Sequence, residues 1–189
     1  MRSLLLIKHS LPEIDPTVPA SRWRLSEIGR LRCQPLAERL ADYGIGALVT
    51  SVEPKAVETA TIVGDRLGLV PDIVEGLHEH ERDLVGFLPR TEFEGKVADF
   101  FARQGALVLG SETGEDAYAR FAKALDAVIE VYACGDLAVV THGTVISLFV
   151  SRATGTDLLP LWKRLQLPAL VALSLPEFRL LDLVEDPSG

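Results

Sequence analysis

Two histidines of this chain, His9 and His142, each follow a short apolar run, and each has polar neighbours suited to phosphate chemistry. Lys8 precedes the first and Ser10 follows it, whereas Gly143 and Thr144 follow the second. A third polar cluster, Ser51-Val52-Glu53-Pro54-Lys55, follows another apolar run. In an open α/β sheet, ligands bind beyond the carboxyl ends of the strands, so three clusters at such ends mark one region of the fold. A lone histidine is usually a satisfied core or surface residue. Two at equivalent strand ends point instead to a site. His142 lies where a strand hands over to a helix, which makes backbone N–H groups and the positive end of the helix dipole available to an anion. Lys8 and Lys55 add two full positive charges, and an imidazole supplies a nucleophile or a proton carrier.

The elements that must hold these residues follow from periodicity. Residues 4–7, 46–50, 137–141 and 170–175 are short apolar runs of the kind that fill strands buried on both faces. A helix is expected over 117–133, where Tyr118, Phe121, Leu125, Val128 and Ile129 recur at three- and four-residue steps before Gly135. Ser26 caps a second, running to about residue 43, which Pro35 is expected to bend or divide. A third, over 54–67, carries Pro54 in its first turn and ends at Gly68. Residues 170–175 and 178–184, separated by Pro176-Glu177, read as a closing hairpin, with 185–189 a frayed tail. Alternation of strands and helices predicts an α/β fold, a three-layer sandwich whose mostly parallel sheet has helices on both faces. The least regular stretch, about 79–114, with one short helix near 93–101, is expected to pass over the sheet as a lid-like excursion.

Composition bounds the rest. At 189 residues, 48% of them apolar and 24% charged, a single packed domain over 1–189 is expected. The net charge of -8 disfavours nucleic acid and anionic membranes as partners, because phosphate backbones bind basic surfaces. The two cysteines, Cys33 and Cys134, read as buried free thiols on helix faces. The amino terminus has four consecutive apolar residues before Lys8, too few for a signal peptide or a membrane span, so a cytoplasmic protein is expected. Nothing in the sequence specifies an oligomeric state. His78 and His80 have acidic neighbours, yet no third ligand stands at metal-site spacing, so neither metal nor cofactor is expected.

Several of these segments resemble, in order, the signatures of the histidine phosphatase (phosphoglycerate mutase-like) superfamily. Leu4 through Ser10 resembles its strand followed by Arg-His-Gly, and Leu25-Ser26-Glu27-Ile28-Gly29 its Leu-Thr-x-x-Gly helix start. Ser51 through Ala60 resembles its Ser-x-x-x-Arg-Ala-x-x-Thr-Ala helix, and Leu77-His78-Glu79 its Leu-x-Glu. Gly114-Glu115-Asp116 with Arg120 resembles its Gly-Glu-Ser and following Arg, and Val139 through Gly143 its second histidine motif. The resemblance implies a phosphatase in which His9 attacks phosphorus and forms a phosphohistidine. His142, Lys8 and Lys55 would bind the transferring phosphoryl oxygens, with Ser10 and Gly143 beside them, and Glu79 would protonate the leaving oxygen, with Glu81 its nearest rival. That role calls for a Glu79 pKa lifted towards neutrality.

The implied partner is a small phosphorylated metabolite or a phosphoprotein, with Arg82 and Arg90 either touching a distal anion or solvated. Both pocket arginines of the family pattern are lysines here, which keep the charge but lose the planar fork that binds phosphate bidentately. Ser10 stands where the pattern has Gly, and Arg32 where it often has Gln. A catalytically weak or inactive anion-binding domain is therefore the alternative. A mutase is less expected, because a short chain leaves little insertion to keep water from a phosphohistidine.

Overall fold

The computed structural model describes residues 2–187. Its strands are β1 (Arg2–Lys8), β2 (Ile45–Thr50), β3 (Asp72–Ile73), β4 (Asp136–Thr141), β5 (Ala169–Leu175) and β6 (Leu180–Val184). Its helices are α1 (Glu27–Leu40), α2 (Pro54–Leu67), α3 (Arg90–Ala102), α4 (Gly114–Val131), α5 (Gly143–Thr154) and α6 (Leu158–Arg164). The strands form one mixed sheet in the order β3-β2-β4-β1-β5-β6. β1, β2, β3 and β4 run parallel, β5 runs against β1, and β6 pairs antiparallel with β5 in the expected hairpin.

Successive side chains of a strand point to opposite faces, and β1 shows the consequence. Leu4 and Leu6 enter one core with Phe121 and Leu125 of α4 and Val145 and Phe149 of α5. Leu5 and Ile7 enter the other with Leu36 and Leu40 of α1 and Ala56, Ala60 and Val63 of α2. A strand buried on both faces reads as an unbroken apolar run, which is why these strands are visible as such. Layers of helix, sheet and helix follow, as the alternation predicts.

Helix boundaries move where caps decide them. α4 begins at Gly114 rather than near 117, because the Thr113 hydroxyl accepts from the Asp116 N–H and two acidic residues follow in the first turn. It ends at Val131, so Cys134 lies beyond the helix and is exposed, contrary to expectation, whereas Cys33 is buried in α1. Pro35 does not divide α1, which stays continuous and stops at Leu40. Pro35 cannot donate to the Leu31 carbonyl, and Leu31 lies on the exposed side of the helix. The expected frayed tail is partly tied: Gln166 N–H donates to the Glu185 carbonyl, and Arg164 pairs with the Glu185 carboxylate at 2.7 Å. Ser188 and Gly189 lie outside the described residues.

The stretch after β3 carries α3, whose Val97, Phe100 and Phe101 pack with Leu109, Ala117 of α4 and Leu148 of α5 in a third apolar cluster. No helix among the described residues is long and apolar enough to cross a membrane.

Candidate active site

Strand register brings the two histidines together. β1 and β4 are aligned so that Lys8 lies beside Thr141, and the next step places His9 beside His142, with the His9 N–H donating to the Thr141 carbonyl at 3.0 Å. Ser51, one residue past β2, donates its N–H to the Val140 carbonyl. Three neighbouring parallel strands thus end together, and His9 and His142, with Glu53 and Lys55 shortly after β2, line one cleft of about 170 Å³.

The imidazoles of His9 and His142 have centroids 5.1 Å apart and are inclined by 60°. His9 Nδ1 lies 2.8 Å from the Ser10 carbonyl, which can only accept, so Nδ1 carries the hydrogen and Nε2 keeps its lone pair. Burial, then the neighbouring His142 and Lys55, hold its pKa well below the usual histidine range, so the ring is neutral. His142 is fully buried. Its Nε2 lies 2.7 Å from Ser51 Oγ and 3.5 Å from Glu53 Oε1, and Nδ1 has no partner among the described residues. Burial and Lys55 depress its pKa as well, against the opposing pull of Glu79.

Two lysines flank the pair. Lys8 Nζ donates to the Leu165 carbonyl at 2.7 Å, and burial lowers its pKa to about 8, with Glu79 acting in the opposite direction. A Cβ on Gly143 would stand 3.0 Å from Lys8 Cε, so the bare helix start is what lets this side chain lie across it. Lys55 is 5% exposed, donates to the Ala20 carbonyl at 2.7 Å and is ion-paired with Glu53.

Glu79 occupies the amino terminus of α5. Its carboxylate accepts from the N–H groups of Thr144 (3.1 Å) and Val145 (3.3 Å), the first-turn donors that a helix leaves unsatisfied. Burial pushes its pKa up, but Arg82, His142 and the N–H groups of His80 and Thr144 outweigh that, and the net shift is downward. The elevated pKa expected from the sequence is therefore absent in the free protein. Arg120 fixes the segment from below, donating to the carbonyls of Gly76, His78 and Glu79 and to both oxygens of Glu112.

Not every expected residue reaches the cleft. Ser10 is fully buried beneath it: its hydroxyl donates to the Gly29 carbonyl and its N–H to Thr59 Oγ1, so it cannot serve a phosphate. Glu81 turns away towards His78, 3.4 Å from its Nε2, with half of its side chain exposed. His80 does line the cleft, but its ring is buried against Phe100 and donates from Nε2 to the Glu112 carbonyl. Arg82 lines the cleft, whereas Arg90 lies farther out, paired with Glu94. Among the described residues no group of three His, Cys, Asp or Glu side chains could hold a metal ion.

Sequence reasoning missed Glu53 as a site residue. It is 6% exposed and joins three parts of the site: it pairs with Lys55, approaches His142 and accepts the Glu79 N–H at 2.8 Å. The signal was a carboxylate directly before Pro54 at a helix start and two residues before Lys55, a residue type that N-caps do not favour.

A model of the histidine phosphatase superfamily, branch 1, matches residues 17–179, which include His142 and begin after His9. No curated protein matches the chain in sequence. Among solved structures, Bacillus stearothermophilus YhfR aligns with a TM-score of 0.76 at 22% identity, covering 98% of this chain and 97% of that one. A mycobacterial glucosyl-3-phosphoglycerate phosphatase in complex with inorganic phosphate aligns with a TM-score of 0.72 at 22% identity, covering 97% and 95%. At such identities the likeness is one of fold.

Proposed function

The chain belongs to branch 1 of the histidine phosphatase superfamily, and from that premise we propose that it hydrolyses phosphate monoesters through a phosphohistidine on His9. The observation that carries this reading is the His9 ring itself: Nδ1 is tied to the Ser10 carbonyl, and the Nε2 lone pair is left for a cleft that Lys8, Lys55 and His142 line. Nε2 attacks phosphorus in line, the N–P bond forms as the P–O bond breaks, and Glu79 gives its proton to the departing alkoxide. Water then attacks phosphorus, yielding its proton to Glu79, and the N–P bond breaks to restore neutral His9 and release phosphate. The lysines, the N–H groups at the start of α5 and His142 stabilise the charge on the equatorial oxygens. In this reading residues 79–114 form the lid of a single catalytic domain and set which phosphorylated metabolite or phosphoprotein is accepted.

The test is hydrolysis of an aryl phosphate by the native protein and by His9→Ala, with acid-quench trapping of the phosphoenzyme. Loss of both turnover and the trapped species is expected; activity that survives His9→Ala refutes the proposal. One observation favours slow turnover by an anion-binding domain instead: Lys55 is already paired with Glu53, and Lys8 with the Leu165 carbonyl. Lys8→Arg combined with Lys55→Arg separates the two. A large rate gain marks a weakened site, and a loss marks one adapted to lysine.

A further inference from the structure

Next to the phosphate cleft lies a cavity of about 650 Å³, walled by the segment before α1, the connection into α3, and α6 with the residues after it. It shares Lys8, Trp23, Arg82, Phe93 and Trp162 with the cleft, so the two adjoin. The cleft, at about 170 Å³, lies below the ~300–1,000 Å³ typical of pockets that enclose a small ligand, whereas the cavity lies within that range. A phosphoryl group fits the first, and the rest of its ester must occupy the second.

Large apolar side chains make up much of the walls, Val18, Trp23, Phe87, Leu88, Phe93 and Trp162, with charged residues such as Arg32, Arg82, Asp83 and Lys163 between them. Phe87 is 49% exposed and Val18 36%, large apolar side chains left uncovered at a concave surface that continues into the site. The Phe93 and Trp162 rings lie 6.0 Å apart, and the Arg82 guanidinium sits 5.0 Å above Phe93, at the junction of the two spaces. Several polar groups on the cavity walls are already engaged. Trp23 Nε1 donates to the Asp15 carbonyl, Arg32 to the Leu167 carbonyl, and Arg90 is paired with Glu94. A hydroxylated leaving group would lose water against the apolar walls and recover only part of its hydrogen bonds. Lys8, Arg32, Arg82 and Lys163 against Asp83 disfavour a cationic one.

Resting on the phosphatase reading above, we infer that the substrate is a phosphomonoester of a bulky apolar alcohol or phenol, its hydrocarbon or ring seated in this cavity. A sugar phosphate or an amino alcohol phosphate does not suit it.

Primary alkyl phosphates from ethyl to octyl test this, because their leaving oxygens are chemically alike. kcat/KM is expected to rise about two- to fourfold per methylene until the cavity is filled, with glycerol 3-phosphate and phosphocholine below butyl phosphate. Phe87→Ser, outside the phosphate cleft, should lower octyl phosphate turnover by about tenfold or more and leave ethyl phosphate unchanged. A flat series, or a preference for glycerol 3-phosphate, overturns the inference while the phosphatase reading stands. If no alkyl or aryl phosphate is turned over and no phosphoenzyme forms, that reading fails. Calorimetric titration with octyl- and ethylphosphonate then decides the cavity alone, and equal affinities overturn it.

Discussion

Replacing Glu53 with Gln removes one charge from the site and little else. Glu53 and Lys55 are 6% and 5% exposed, so their ion pair is buried, and Gln still accepts the Glu79 N–H through its amide oxygen. Removing one partner of a buried pair leaves the other charge uncompensated, at a cost of about 3–5 kcal/mol. Lys55 keeps its bond to the Ala20 carbonyl, which argues for the lower figure, about 3 kcal/mol. A chain of this length loses about 2.5 °C of Tm per kcal/mol, so a fall of about 7 °C is expected in phosphate-free buffer. Phosphate should reverse it. A carboxylate about 5 Å from a bound phosphate charge repels it by about 3 kcal/mol at an effective dielectric of 20. Its removal, with Lys55 set free, should tighten inorganic phosphate binding about 10- to 100-fold. Thermal melts with and without phosphate, together with the phosphate inhibition constant in aryl phosphate hydrolysis, measure both effects. A Tm within about 1 °C of native and an unchanged inhibition constant would refute the reasoning.

Lys8 predicts an alkaline limit. Its pKa is lowered from 10.5 to about 8, so as pH rises through about 8 the folded protein loses this charge and kcat/KM should fall. The unfolded chain keeps the proton to about 10.5 and binds more protons than the folded one between those values. Stability contributed by this group therefore rises across that window while activity declines. A pH–rate profile checks this, and Lys8→Arg should abolish the alkaline limb. Arg120→Ala frees the Gly76–Glu79 segment and leaves Glu112 unpaired, lowering Tm by about 10 °C and reducing kcat. Arg120→Lys should not restore either, since one ammonium cannot reach all these acceptors. Gly29→Ala places a Cβ 2.0 Å from the Leu11 carbonyl oxygen, a backbone clash; a Tm drop of less than about 5 °C would contradict it.

The parts of this fold legible in the sequence are those where burial is symmetrical. β1, β2, β4 and β5 carry apolar runs because both faces are covered, and α2 announces both ends through Pro54 and Gly68. β3 has two residues, both exposed, and leaves no pattern to read. The site was legible where the backbone positions it: His9, His142, Lys8 and Gly143 sit at strand ends and helix starts, which register alone brings together. It was not legible where side-chain direction decides. Ser10 follows His9 directly yet points the opposite way, to Gly29, and Glu53 enters the site because its carboxylate turns from the helix it precedes.

The low pKa of Glu79 in the free protein is compatible with its proposed work as an acid only if substrate changes it. Without phosphate, Glu79 is the anion that α5 binds: it accepts from the N–H groups of Thr144 and Val145 beside His142 and Arg82. Those interactions favour its charged form. A phosphate entering the same cleft competes for these donors and adds negative charge. Each negative charge added in so buried a cleft raises the carboxyl pKa. A dianion therefore opposes the downward shift seen in the free protein, and burial, which favours the neutral form, then acts in the same direction. The substrate thus protonates its own acid. kcat/KM reports the free enzyme and kcat the complex, so the carboxyl pKa should be lower in the kcat/KM profile than in the kcat profile. Glu79→Gln should remove the second while cutting hydrolysis of alkyl esters, which need a proton on the leaving oxygen, by about 10²- to 10⁴-fold, and aryl esters far less. Identical carboxyl pKa values in the two profiles would show that substrate does not recruit Glu79 in this way.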